Sequence, residues 1–228
     1  MSGTETSTVS SISTTWIKNN VLAAVVSAAA SLAIYGVRHV TGVAGADAGF
    51  AGIAILFGVA TILSALAGIA YGVLTGAVLQ RIVPLLPVKS WIGVNAGMAV
   101  VAAVLSEISL MLLPGTTADD DSSIEDIVLV GLIVGGILGV AIGGLQALVL
   151  RRAALGASAW VAWSVVAYIV AVLLVAGSGK LWETGGGFAG ELATQAVAFL
   201  GYAIISVVML PALRRLRDPL STAGQHFT

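Results

Sequence analysis

The sequence predicts an all-α polytopic membrane bundle of six transmembrane helices. Three observations carry that expectation. Apolar residues make up 58% of the 228-residue chain and charged residues only 9%, against about 25% charged in ordinary soluble domains. Long apolar runs begin three times at a tryptophan, at Trp16-Ile17, Trp91-Ile92 and Trp160-Val161, each just after a polar or basic stretch. The basic residues then sort almost completely onto one side of the runs they flank.

The runs give spans at about 16–37, 54–80, 91–113, 127–150, 160–177 and 192–213, each near the ~20 residues that cross ~30 Å of hydrocarbon. A polar N-terminal tail, 1–15, precedes a six-helix transmembrane domain, 16–217, and a C-terminal tail, 218–228, follows it. The tail 1–15 is Ser/Thr-rich with one charge, Glu5, and lacks the basic start of a secretory signal. The first span is therefore kept as a mature helix, although Lys18 followed by an apolar core leaves a late signal peptide as an alternative. The second run starts near Phe50 and would be about 45 Å long at 1.5 Å per residue. Gly49 and Gly52 weaken a helix there, so an interfacial start is expected rather than a strong tilt.

With the amino terminus in the cytoplasm, Lys18, Arg81, Lys89, Arg151, Arg152, Arg214, Arg215 and Arg217 fall inside, and only Arg38 and Lys180 fall outside. That bias fixes orientation and places both termini in the cytoplasm of a bacterial inner membrane. Trp16, Trp91 and Trp160 then read as interfacial anchors, the usual place for Trp in a membrane protein. The even-numbered spans also end alike, at Leu79-Gln80-Arg81, Val149-Leu150-Arg151-Arg152 and Ala212-Leu213-Arg214-Arg215. Together with the Trp-led starts, this predicts three helical-hairpin repeats about an axis along the membrane normal.

Gly144-Leu145-Gln146-Ala147-Leu148-Val149-Leu150-Arg151-Arg152 followed by Trp160 resembles a loose group of uncharacterised bacterial multi-pass membrane proteins. Their shared stretch is Gly-Leu-x-Gln-x-Leu-Val-Leu-Arg-Arg before a Trp-led helix. The segment from Gly201-Tyr202 to Leu213-Arg214 is similar to the closing helix of that group. Ala147, where the group often has an aromatic residue, and Pro211 inside the final helix depart from the pattern. The resemblance implies a repeat-built membrane protein and implies no activity.

Small residues recur every four positions in two spans: Ala60, Ser64, Gly68, Gly72 and Gly76 in the second, and Gly131, Gly135, Gly139 and Gly143 in the fourth. Lipid is as apolar as Leu, so helices associate in a membrane by close backbone approach, which such stripes permit. Packing against neighbours in the same chain is expected, with homo-oligomer contact or a flat lipid or pigment as alternatives.

Few residues could carry chemistry. Glu107 is the one clear ionisable residue inside a span, and a carboxylate there calls for compensation. Arg38 is its first candidate partner and Lys180 its second, giving either a structural ion pair or ion coupling. The acidic run from Asp119 to Asp126 lacks the ligand spacing of a calcium loop and reads as a solvated loop. Asn95 and Gln146 are placed to hydrogen-bond across helices. Tyr71, Tyr168 and Tyr202 lie deep in their spans. They could line a pocket for an aromatic or quinone-like ligand, but a hydroxyl bonded to a neighbouring backbone or to a serine such as Ser206 is the favoured reading.

With no cysteine and two distant histidines, His39 and His226, there is no thiolate chemistry and no metal site at ligand spacing. No catalytic set assembles, no cofactor is indicated, and no basic footprint points to nucleic acid. The expected partners are the lipid bilayer and other membrane subunits or a second copy. The sequence thus predicts a membrane scaffold or accessory subunit without catalysis, the alternative being a small-solute or ion transporter or channel using Glu107.

Overall fold

The computed structural model describes residues 3–41, 49–112, 124–181 and 188–216. Across them the chain is helical: α1 Gly3–Val40, α2 Phe50–Ile82, α3 Val88–Leu112, α4 Ile124–Leu150, α5 Ala157–Leu181, α6 Phe188–Val208 and the short α7 Leu210–Arg215. Five of these, α1 to α5, are long and apolar enough to cross a membrane, which fits a multi-pass membrane protein.

Helices α1 and α2 are longer than the spans expected for them. The polar start of the chain is helical from Gly3, so α1 has 38 residues, and Ile12 and Ile17 pack against the core. The expected interfacial break near Gly49 and Gly52 does not occur. Gly49 is extended at the N-cap, and α2 then runs unbroken for 33 residues, about 50 Å of helix. A straight helix of that length exceeds the ~30 Å hydrocarbon thickness of a bilayer.

Proline sets the other boundaries. Pro84 disfavours helical geometry at Val83, which takes φ −129° and ψ 83° and closes α2 through its N–H to Leu79 O at 2.8 Å. Pro87 supplies the carbonyl that accepts the Trp91 N–H at 3.0 Å, opening α3. Pro211 removes an N–H from the last span. The expected continuous helix over 192–213 therefore breaks at Met209 into α6 and α7, with Met209 N–H still bonded to Ile205 O at 2.9 Å.

Each long helix packs on its neighbour in chain order and α6 closes on α1, giving a ring of six. The α2/α3 and α4/α5 seams are the densest and the α3/α4 seam the sparsest. The glycine stripes account for the dense seams. A Cβ on Gly68 would stand 2.6 Å from Asn95 O, and one on Gly72 would stand 2.7 Å from Ile92 Cα, both on α3. On α4, a Cβ on Gly135 would stand 2.5 Å from Ile169 Cα, and Gly139 faces the Val165 backbone just as closely. Both stripes are thus occupied by helices of the same chain. Gly136 and Gly144, on the same helix, face open space.

The hydrophobic core gathers at the basic end of the ring, where Leu79, Val83, Leu150, Leu213 and the three tryptophans are buried together. Arg81, Lys89, Arg151, Arg152, Arg214 and Arg215 are exposed around it. The α4–α5 turn closes through Gly156 at φ 84°, where a side chain would strike the Arg215 carbonyl at the end of α7. Glycine is required there both by conformation and by space.

Candidate functional site

The tryptophans do not anchor the outside of the bundle. Trp16, Trp91 and Trp160 are 1%, 0% and 1% exposed and meet inside the ring. Trp160 lies between the other two, edge to face with Trp16 at 5.8 Å and 84° and with Trp91 at 5.7 Å and 82°. Such pairs contribute about 0.5–1.5 kcal/mol each beyond their buried area. Indole carries a polar N–H that must be matched once buried, and each finds its acceptor on an even-numbered helix. Trp91 donates to Thr75 Oγ1 at 2.9 Å on α2, Trp160 to Gln146 Oε1 at 2.8 Å on α4, and Trp16 to Ser206 O at 3.1 Å on α6. In every case the acceptor helix is the one preceding the donor around the closed ring.

The acceptors are themselves held. Thr75 Oγ1 donates to Tyr71 O at 2.6 Å, and Ser206 Oγ to Tyr202 O at 2.8 Å. Gln146 Nε2 donates to Asn95 Oδ1 at 2.8 Å, and Asn95 Nδ2 to Trp91 O at 2.7 Å. The expected interhelical pairing of Asn95 and Gln146 is therefore present, as part of a chain running from α5 through α4 to α3. Asn20 repeats the Asn95 arrangement on α1, donating to Trp16 O at 2.8 Å, yet its Oδ1 is buried with no partner among the described residues. Thr75 accepts an indole on α2 as Gln146 does on α4, and its single hydroxyl proton goes to Tyr71 O.

One turn farther along the helices the ring opens into a cavity of about 200 Å³ bounded by all six long helices. Tyr71, Tyr168 and Tyr202 line it together with Ser27, Asn95 and Met98. Each tyrosine stands four residues from a member of the polar layer below, Thr75, Ser164 and Ser206 respectively, or about 6 Å along the axis. Ser206, the serine expected beside a phenol, gives its hydroxyl proton to the Tyr202 backbone carbonyl. Small side chains make the room: at the level of the rings α3 presents Ala99 and Ala102, while α4 presents Leu138 and Ile142.

Of the remaining sequence candidates, Arg38 is not among the residues that line the cavity. Arg38 lies in the last turn of α1. Glu107 belongs to α3, but its side chain, like that of Lys180, lies outside the described residues, as do Asp119 to Ser123 of the acidic run. No metal-binding cluster of His, Cys, Asp or Glu occurs among the described residues. Sequence reasoning missed the indole layer, although a signal was present: each tryptophan is followed at the fourth position by Asn20, Asn95 or Ser164. A polar residue stacked on the same helical face marks that face as interior. No protein-family model, curated protein or solved structure matches the chain.

Proposed function

We propose that the chain is a non-catalytic scaffold or accessory subunit of a membrane complex, crossing a bacterial inner membrane six times with both termini in the cytoplasm. It is built from three hairpin repeats, α1–α2, α3–α4 and α5–α6/α7. The observation that carries this reading is the cyclic donation of the three indoles, each from one hairpin to the even-numbered helix of the hairpin before it. A duplicated unit repeats its contacts in that way. Polar groups matched within the ring, and glycine faces filled by its own helices, hold the six helices in one arrangement. What the ring turns outward is apolar: Ile62, Leu66, Leu132, Ile133, Ile137 and Val140 are all exposed, and such a surface is met by lipid or by the apolar helices of other subunits.

Native mass spectrometry of the protein released gently from its own membrane tests the proposal. A stoichiometric protein partner is the expected result. A chain that leaves the membrane alone at every extraction strength would sink the accessory-subunit reading.

A further inference from the structure

The tyrosine-lined cavity has the walls of a ligand site. Tyr71 of α2, Tyr168 of α5 and Tyr202 of α6 line about 200 Å³ of space. The walls are otherwise three aromatic rings, the Met98 thioether and short aliphatic side chains, a surface that favours flat rings through edge, stacking and sulfur contacts. A dry cavity of about 150 Å³ holds benzene, so this one admits a six-membered ring with small substituents. Because the polar side chains around the cavity include three phenols, each an O–H donor, such a ring is best held if it carries acceptor oxygens.

We infer that the cavity is a binding site for one planar, carbonyl-bearing ring of the quinone class. A ligand soluble in the bilayer has a route to it. The α3/α4 seam is the sparsest in the ring, and the cavity wall there is made of Met98, Ala99 and Ala102 against Leu138 and Ile142, with no glycine interlock of the kind that seals α2/α3 and α4/α5. The inference is independent of whether the chain serves as an accessory subunit, since the cavity is formed within one copy.

The test uses the full chain in lipid nanodiscs, labelled with ¹³C at the methionine methyls. It is titrated separately with duroquinone and with durene, the same tetramethyl ring lacking both carbonyls. Duroquinone is expected to shift the Met98 methyl resonance saturably. Durene at equal mole fraction in the lipid is expected to bind about tenfold more weakly, the equivalent of one hydrogen bond to the ring. The combined Tyr71→Phe, Tyr168→Phe and Tyr202→Phe variant should weaken duroquinone by a similar factor and leave durene unchanged. Absence of a saturable Met98 shift with duroquinone overturns the proposal. Equal affinity for durene overturns it as well, leaving only an apolar void. That second comparison needs no substitution, so it decides the matter even if the triple variant does not fold.

Discussion

The indole layer and the tyrosine tier lie one helical turn apart on the same helices, and they treat buried polar groups in opposite ways. In the layer, Trp, Asn, Gln, Thr and Ser side chains from six helices are joined by short bonds between 2.6 and 3.1 Å, and one acceptor, Asn20 Oδ1, is left over. In the tier, three phenols surround open space. Reach and geometry make the difference. A carboxamide has a donor and an acceptor on a flexible stem and bridges two helices at once. A phenol has one rotatable hydroxyl at the end of a stiff ring, and the facing helices offer Ala99, Ala102, Leu138 and Ile142. The layer therefore carries more of the stability of the ring than the tier does.

Truncation at the centre of each region should separate them most widely. Trp160→Ala removes both edge-to-face contacts and frees Gln146 Oε1 at a site 1% exposed. The expected cost is about 3–5 kcal/mol. Tyr168→Ala, eight residues along the same helix, enlarges a space that is already open, so its cost should stay within the ordinary range of about 0.5–3 kcal/mol. Reversible unfolding of both variants in mixed micelles measures the gap. Equal losses would mean that the two tiers share the load and that the contrast drawn between them is wrong.

The next largest effect lies in the seam that keeps Trp160 and Gln146 in register. Gly139→Ala places a methyl against the Val165 backbone, and backbone cannot yield as the end of a flexible side chain can. Forcing α4 and α5 apart should cost about 1–3 kcal/mol or more. Gly136→Ala, on the same helix but facing open space, should be neutral or slightly stabilising, because Ala is the better helix former. A stability difference near zero between these two variants would remove the glycine seam from the account of the layer.

Much of this was legible in the chain, and the misses have physical causes. Apolar runs place the long helices because a bilayer imposes their length and apolar composition. The four-residue glycine spacing marks the seams because only small residues allow that approach. The inward turn of Trp16, Trp91 and Trp160 was misread, since interfacial tryptophan is the commoner case and helical phase cannot be judged from a Trp near the start of a run. Asn20 and Asn95, one turn on, hold the corrective information. The break at Met209 was half legible: Pro211 announces a lost hydrogen bond, but a proline can kink a helix or divide it, and here the division lets Leu213 and Leu216 tuck into the core. The cavity was out of reach because it depends on which small residues of α3 happen to face which tyrosines across the ring.

The finest distinction is within the layer itself, between two asparagines in matching positions. Asn95 is matched on both sides, donating to Trp91 O and accepting from Gln146 Nε2, whereas Asn20 donates to Trp16 O and its oxygen accepts nothing among the described residues. Asn95→Leu strands the Gln146 amide in a buried site and should cost about 1–3 kcal/mol. Asn20→Leu exchanges an amide that is only half matched for an apolar group of similar shape, a replacement that is expected to be nearly neutral. A double-mutant cycle completes the comparison: in the Asn95→Leu background Gln146→Leu should lose the part of its cost that comes from stranding Asn95 Oδ1 and keep the part that comes from the Trp160 N–H, whereas in the Asn20→Leu background it should keep all of it. If Asn20→Leu proves as costly as Asn95→Leu, the Asn20 oxygen is matched in the folded protein after all. The layer would then extend unbroken around the full ring, with a bound water in the place that Gln146 Nε2 fills for Asn95.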